Sequence, residues 1–329
     1  MFEQLGQLGN ALILLVSLVV LDRAIDLTIT NVVKIANITG YGKTTIGFIL
    51  VAFCTSLPAL FVSVFSAVEA ENIGVAIGNA LGSTIVNICL ILGICLILVA
   101  LRSSGNVKLL PSVAKEEISS LYFGLFMGSI IPLTLIYIGN IGNVSRLIGV
   151  ILLVIFALYT YQLSRVRTVK EVPSSENRQE LSRYGLLICI GIVVVVIISY
   201  FIVDTASYIA ISVGISPLVI GGTVVALGTS VPILMASIHA IRKEHPDLVL
   251  GNIVGTSFIN TTCILGATLV VSPLRVDMVA FPSLVVFSVI ANLLLWYFLS
   301  SEKISWREGI VLLFMYFLFL IISFGGYGT

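Results

Sequence analysis

Two short phrases hold the residues with chemistry to offer. Positions 54–61 read CTSLPALF in the middle of an apolar run, and positions 228–235 read GTSVPILM. Thr55, Ser56, Thr229 and Ser230 each bring a hydroxyl oxygen, just ahead of Pro58 in one case and Pro232 in the other. A proline inside a helix removes a backbone hydrogen bond and clashes with the preceding turn, at a cost of about 3 kcal/mol. The spacing therefore predicts bends at Pro58 and Pro232 that free the carbonyls near Cys54 and Gly228. Surrounded by hydrocarbon, those carbonyls need protein, water or a ligand as a partner. A second phrase follows each of the first, IGNALGSTIVN at 77–87 and LGNIVGTSFIN at 250–260. Ser83 and Asn87 stand four apart on one helix face, as do Thr256 and Asn260, with Ser257 beside them. Gly78, Gly82, Gly251 and Gly255 let helices approach closely. A single serine would serve only to join helices; the same set written twice around two prolines predicts a binding site lined by a shell of hydroxyl, amide and carbonyl oxygen.

The elements that carry these phrases are membrane spans. The 329 residues are 58% hydrophobic and 10% charged, with a mean hydropathy of +1.16. A soluble chain cannot hide that much apolar surface, whereas a bilayer accepts it. The runs do not alternate as barrel strands do, so the expected class is an all-α polytopic membrane protein. Ten spans are read near 10–36, 43–69, 73–101, 119–139, 146–165, 183–211, 217–241, 248–271, 279–300 and 307–325. A net charge of +1 gives no sign of nucleic acid as a partner. The five cysteines lack CxxC spacing and are expected as small buried hydrophobes. No cofactor is expected, and the N-terminus lacks the basic region and cleavage site of a signal peptide.

The stretch SRVRTVKEVPSSENRQELSR at 164–183 divides the spans five and five. The expected organisation is a first five-helix repeat at 1–163, a cytoplasmic linker at 164–183 and a second repeat at 184–329. With that linker inside, 13 of the 17 Lys and Arg residues fall on cytoplasmic connections, and both termini face outward. An odd number of spans per half inverts the second half relative to the first. TTIGFILVAFCTSLPALFVSVFSA (44–67) then matches LVIGGTVVALGTSVPILMASIHA (218–240), with Gly47 opposite Gly221. Ten transmembrane helices as two inverted-topology repeats is the architecture of secondary transporters.

On these residues the sequence resembles the sodium/calcium exchanger family, the calcium:cation antiporters. That family carries G-T-S-x-P-E followed by G-N-x-x-G-S-N-x-x-N/D in each half. The resemblance implies ten helices, with the second, third, seventh and eighth enclosing the ion sites. It assigns Thr55, Ser56, Ser83, Asn87, Thr229, Ser230, Thr256 and Asn260 as metal-ion ligands, together with the carbonyls of Ala52 and Ala226; Ser257, beside Thr256, is counted with them as a candidate. The family's two central glutamates fall on Ala59 and Ile233, and Asn260 stands where aspartate is common. Calcium takes six to eight oxygens, usually with carboxylates among them, whereas neutral dipoles can host a monovalent ion. The expectation is a secondary active cation antiporter, not an enzyme, working by alternating access and coupled to sodium or protons. Its substrate would be a monovalent cation or another solute in place of calcium. Two rivals are an exchanger with recruited carboxylates and a transport-inactive membrane sensor or assembly subunit.

Other acids within spans are candidates for proton or charge coupling. They are Asp22 and Asp26, which share a face with Arg23 between them, and Asp204. Glu69 and Glu71 are read as a solvated mouth, and His239 and His245 as solvated at a cytoplasmic helix end. The reading is of an integral multi-pass protein in a prokaryotic plasma membrane, its partners the bilayer and a small inorganic cation. Cysteine placed at Ser175 should react with an impermeant thiol reagent only from the cytoplasmic side; labelling from outside reverses the orientation.

Overall fold

Long apolar segments bounded by charge and glycine leave the backbone one way to satisfy itself in lipid, which is to fold as helices. A computed structural model of the chain describes residues 52–68, 73–102, 115–138, 142–165, 180–211, 216–242, 246–272, 281–300 and 305–325, with scattered positions between 13 and 38. The scattered positions are helical. The helices after them are α1 (Ala52–Val68), α2 (Ile73–Ile85, continuing through Val86–Leu92 into Gly93–Arg102), α3 (Lys115–Ile138) and α4 (Gly142–Arg165). In the second half come α5 (Leu181–Ile211), α6 (Pro217–Ile220, Gly221–Val225, Ala226–Arg242), α7 (Pro246–Ile259, Asn260–Ile264, Leu265–Val271), α8 (Phe281–Ser300) and α9 (Trp306–Gly325). Among the described residues, 7 helices are long and apolar enough to cross a membrane, and Ala52–Val68 and Tyr122–Thr134 are shorter apolar ones. Expected spans and observed helices agree to within a few residues at the ends that are described.

Burial separates the helices into two kinds. α2, α6 and α7 are largely buried, whereas α4, α5 and α9 present Val150, Val154, Leu158, Ile190, Val193, Phe314, Phe317 and Ile321 outward. Apolar residues facing out along whole helices are what a lipid-facing ring requires. Cys89, Cys95 and Cys263 are buried as expected, but Cys189 lies exposed on α5 and Cys54 is half-buried. Cys189 shares the outward face with Leu186 and Val193, so burial in lipid takes the place of burial in protein.

The two halves interlock through glycine. A Cβ on Gly78 would lie 2.4 Å from the Leu218 carbonyl oxygen, and one on Gly82 would lie 2.2 Å from that of Gly222. From the other side, a Cβ on Gly221 would lie 2.4 Å from the Val75 carbonyl oxygen. Helix α2 of the first half thus runs backbone to backbone against α6 of the second. Two further contacts cross between halves: Gly93 of α2 meets Gly309 of α9, and Gly149 of α4 meets Gly266 of α7. Gly93 and Gly266 occupy matching places in the repeated sequence, so the two contacts are counterparts. A third link is polar, with Asn292 Nδ2 of α8 donating to the Gly128 carbonyl of α3 at 3.0 Å.

The irregular backbone is not at the prolines. Pro58 and Pro232 lie inside stretches that stay α-helical on both sides. Wider π turns occur instead at Val86–Leu92, Gly221–Val225 and Asn260–Ile264. Such turns leave carbonyls outside the regular ladder and are frequent at functional sites. The turn at 86–92 contains Asn87, and that at 260–264 begins at its counterpart Asn260.

Gly82→Ala should force α2 and α6 apart at a backbone contact, costing about 1–3 kcal/mol as other overpacking changes do. Gly185→Ala is the control, because nothing lies within 4 Å of a Cβ there. Melting in detergent should drop for Gly82→Ala and hold or rise for Gly185→Ala; equal melting points would contradict the packing described.

Candidate functional site

The repeated phrases lie on α1, α2, α6 and α7, and these four helices pack on one another at the centre. All of the expected shell residues on them are buried. Asn87, Thr229 and Thr256 have no exposed surface, and Thr55, at 6%, is the most exposed of the side chains. Ala52 and Ala226, whose carbonyls were expected to contribute, are at 0%. Thr55 Oγ1 lies 3.3 Å from the Ala52 carbonyl, and Thr229 Oγ1 lies 3.3 Å from that of Ala226. The same geometry in both halves is what a structural repeat requires.

Contacts across the two halves join the shell. Ser83 and Thr229 hydroxyls are 3.3 Å apart, and Asn87 Nδ2 donates to Thr256 Oγ1 at 3.3 Å. Thr256 in turn donates to the Ile253 carbonyl at 3.0 Å, and Ser257 donates to the same carbonyl at 2.9 Å. Several polar atoms have no hydrogen-bond partner although fully buried: Ser56 Oγ, Ser230 Oγ, Asn87 Oδ1 and Asn260 Nδ2. They form two symmetry-matched pairs, Ser56 with Ser230 and Asn87 with Asn260. A half-turn of the Asn260 amide would present its oxygen in the same sense as Asn87. Leaving such a group unanswered costs about 1–3 kcal/mol, so the donor set fits a bound cation that would accept these oxygens.

No member of the shell is ionisable. Ala59 and Ile233, where the motif elsewhere carries glutamate, are 3% and 2% exposed and sit in the apolar core. Among the described residues there is no group of three or more His, Cys, Asp and Glu side chains that could hold a metal ion.

Two shell-associated residues were missed from the sequence. Asn79 Oδ1 accepts from Thr229 Oγ1 at 2.8 Å and from Ser83 Oγ at 3.3 Å. Its Nδ2 donates to Ser63 Oγ at 2.8 Å and to the Ala59 carbonyl at 3.1 Å. The counterpart Asn252 accepts from Thr55 Oγ1 at 3.2 Å, but its Nδ2 has no partner. The available signal was the repeated Gly-Asn pair at 78–79 and 251–252.

Asp26 Oδ1 lies 3.1 Å from Nε2 of His239, which is 16% exposed. His239 is therefore partly buried, with Asp26 of the first span beside it, and not solvated as expected. Nine residues of helix separate it from Ser230, about 14 Å at 1.5 Å per residue. Asp204 lies on α5, its side chain beyond what is described; Asp22, Glu69, Glu71, His245 and residues 166–179 of the linker lie outside the described residues.

Inverted halves interlocked around a buried polar cluster define a membrane transporter. A family model for sodium/calcium exchanger proteins matches residues 9–164 and 184–325. The chain is 30% identical to an uncharacterized membrane protein of Methanocaldococcus jannaschii, over 92% of this chain and 94% of that one. It is 28% identical to a sodium/calcium exchanger of Methanosarcina acetivorans, over 96% and 98% of the two chains. In structure it is similar to the sodium–calcium exchanger NCX_Mj soaked with sodium and strontium, with a TM-score of 0.75 at 27% identity, covering 96% and 99% of the chains. The chain belongs to the sodium/calcium exchanger family. It is an all-α, multi-pass membrane protein whose ten-helix architecture of inverted repeats is that of NCX_Mj, and its family is one of exchangers, not of enzymes.

Asn87→Ala and Asn260→Ala should each raise the half-saturating cation concentration by roughly tenfold, as expected for a lost buried polar contact, with little loss of folded protein. Wild-type concentration dependence in both variants would remove these residues from the site.

Proposed function

We propose that this protein is a secondary active cation antiporter that binds a monovalent cation in the shell on α1, α2, α6 and α7 and works by alternating access. Sodium or a proton is the coupling ion. Family membership supports cation antiport; the carrying observation for selectivity is the buried shell of neutral oxygens with alanine and isoleucine at the glutamate positions. Moving a singly charged group from water into a dry interior costs on the order of 20 kcal/mol in the idealised limit. That cost grows with the square of the charge, so a divalent ion pays roughly four times as much. Carbonyl, hydroxyl and amide dipoles can compensate the smaller penalty, as carbonyl rings do in potassium filters. They do not compensate the larger one, for which calcium sites bring carboxylates.

The rival with recruited carboxylates needs an acid at the shell, and every side chain assigned to the shell is a neutral hydroxyl or amide. A transport-inactive sensor would have no use for unpartnered buried oxygens matched across two halves. The proposed setting is a prokaryotic plasma membrane with both termini outside and the 164–183 linker in the cytoplasm.

The decisive measurement is uptake of radiolabelled sodium and calcium by proteoliposomes, wild type against Ala59→Glu/Ile233→Glu. Wild type should give saturable sodium uptake and little for calcium, and the double variant should gain calcium uptake and calcium binding heat. Robust, saturable calcium uptake by the wild type would refute the selectivity proposed.

A further inference from the structure

A hydroxyl binds a cation through an oxygen lone pair, so its proton must be sent elsewhere. Thr55 and Thr229 each have an asparagine oxygen and a backbone carbonyl within reach. Thr229 Oγ1 lies 2.8 Å from Asn79 Oδ1 and 3.3 Å from the Ala226 carbonyl, while Thr55 Oγ1 lies 3.2 Å from Asn252 Oδ1 and 3.3 Å from the Ala52 carbonyl. Sent to the backbone, the proton would occupy a carbonyl that itself belongs to the oxygen shell. Sent to asparagine, it leaves the hydroxyl lone pairs and the carbonyl both available. Ser83 makes the same contribution, donating to Asn79 at 3.3 Å. Both asparagines are buried, at 0% and 2%, and each reaches a threonine of the opposite half.

We infer that Asn79 and Asn252 are positioning residues for cation binding: each takes up the proton of a threonine from the opposite repeat and so turns that hydroxyl's oxygen toward the ion. The inference rests on the reading of Thr55 and Thr229 as cation ligands. It assigns the asparagines no contact with the ion; they act through the hydroxyls. It also explains why an amide is suited to the place. A carboxylate would bring a charge, while an apolar residue would return the proton to the backbone carbonyl.

The two positions differ in a way that makes one of them the better test. Asn79 also ties Ser63 and the Ala59 carbonyl of α1, so its removal disturbs packing as well. Asn252 Nδ2 has no partner, and Asn252→Ala removes little besides the bond to Thr55. Uptake of radiolabelled lithium, sodium, potassium and calcium by proteoliposomes identifies the cation with saturable uptake, and half-saturation is then measured for it. Asn252→Ala and Thr55→Val should each raise the half-saturating concentration about tenfold, with maximal uptake and detergent melting temperature close to wild type. The double variant Asn252→Ala/Thr55→Val should be no worse than Thr55→Val, because the asparagine has nothing left to orient. Combined with Thr229→Val, Asn252→Ala should still exact its full factor. Wild-type half-saturation in Asn252→Ala, or a full multiplicative loss on top of Thr55→Val, overturns the positioning role while leaving the site in place. Unchanged half-saturation in Thr55→Val, or no saturable uptake of any of the four cations, overturns the site and the positioning role together.

Discussion

The approach of α2 to α6 at Gly78, Gly82, Gly221 and Gly222 sets the terms for everything around it. With no side chain in the way, carbonyl oxygens of one helix occupy the space where a Cβ of the other would be. Helices of opposite halves then run closer than any larger residue allows. That closeness is what lets short side chains bridge the halves: Ser83 and Asn79 reach Thr229, Asn87 reaches Thr256, and Asn252 reaches Thr55. Serine, threonine and asparagine have little reach, so a slightly wider separation would leave each stranded among leucine and isoleucine.

A polar network this deep has to be answered group by group, and the two halves answer it differently. In the first, the Asn79 amide is engaged at both its atoms, closing on Ser63 and the Ala59 carbonyl. In the second, Asn252 Nδ2 has no partner, and neither does the hydroxyl of the matching Ser237. Ser63 and Ser237 occupy matching places in the repeat, so like sequences are held in unlike arrangements. On the proposed reading, two arrangements of one phrase on inverted halves are what exposing a central site to each side in turn would need.

Much of this was legible in the sequence because the repeat wrote it twice. The spans and the inverted fold followed from phrases whose order and spacing recur, and every expected shell side chain is buried in the described structure. Asn79 and Asn252 were overlooked because they follow glycines whose packing role already explained the phrase. Their importance depends on which hydroxyl of the other half they meet, and no local pattern encodes that. The π turns carry no residue signature, although Asn87 lies within one and Asn260 begins another. At Pro58 and Pro232, where bends were expected, the α-helix is not interrupted. A missing amide proton at Pro58 or Pro232 costs one hydrogen bond, and the chain absorbs it without breaking the helix. His239 likewise has a polar neighbour, Asp26, more than two hundred residues away in sequence, so its partial burial was invisible locally.

A neutral shell also changes how an exchanger can stay coupled. With two buried carboxylates, an empty site is penalised because unpaired charge in a dry interior costs several kcal/mol, and this discourages reorientation without cargo. Here Ala59 and Ile233 remove that penalty. On the proposed reading, the unanswered dipoles take over part of its role. Ser56 Oγ, Ser230 Oγ and Asn87 Oδ1 lie buried without partners, and each such group costs about 1–3 kcal/mol when left dry. A bound monovalent cation answers all three at once, so the closed, loaded state is favoured over the closed, empty one by several hydrogen-bond equivalents. Each half's asparagine strengthens that preference, since a hydroxyl whose proton is already committed cannot relieve the empty site by turning back to the shell's own carbonyls. The orientation of uncharged groups thereby does for a monovalent ion part of what buried charge does for calcium.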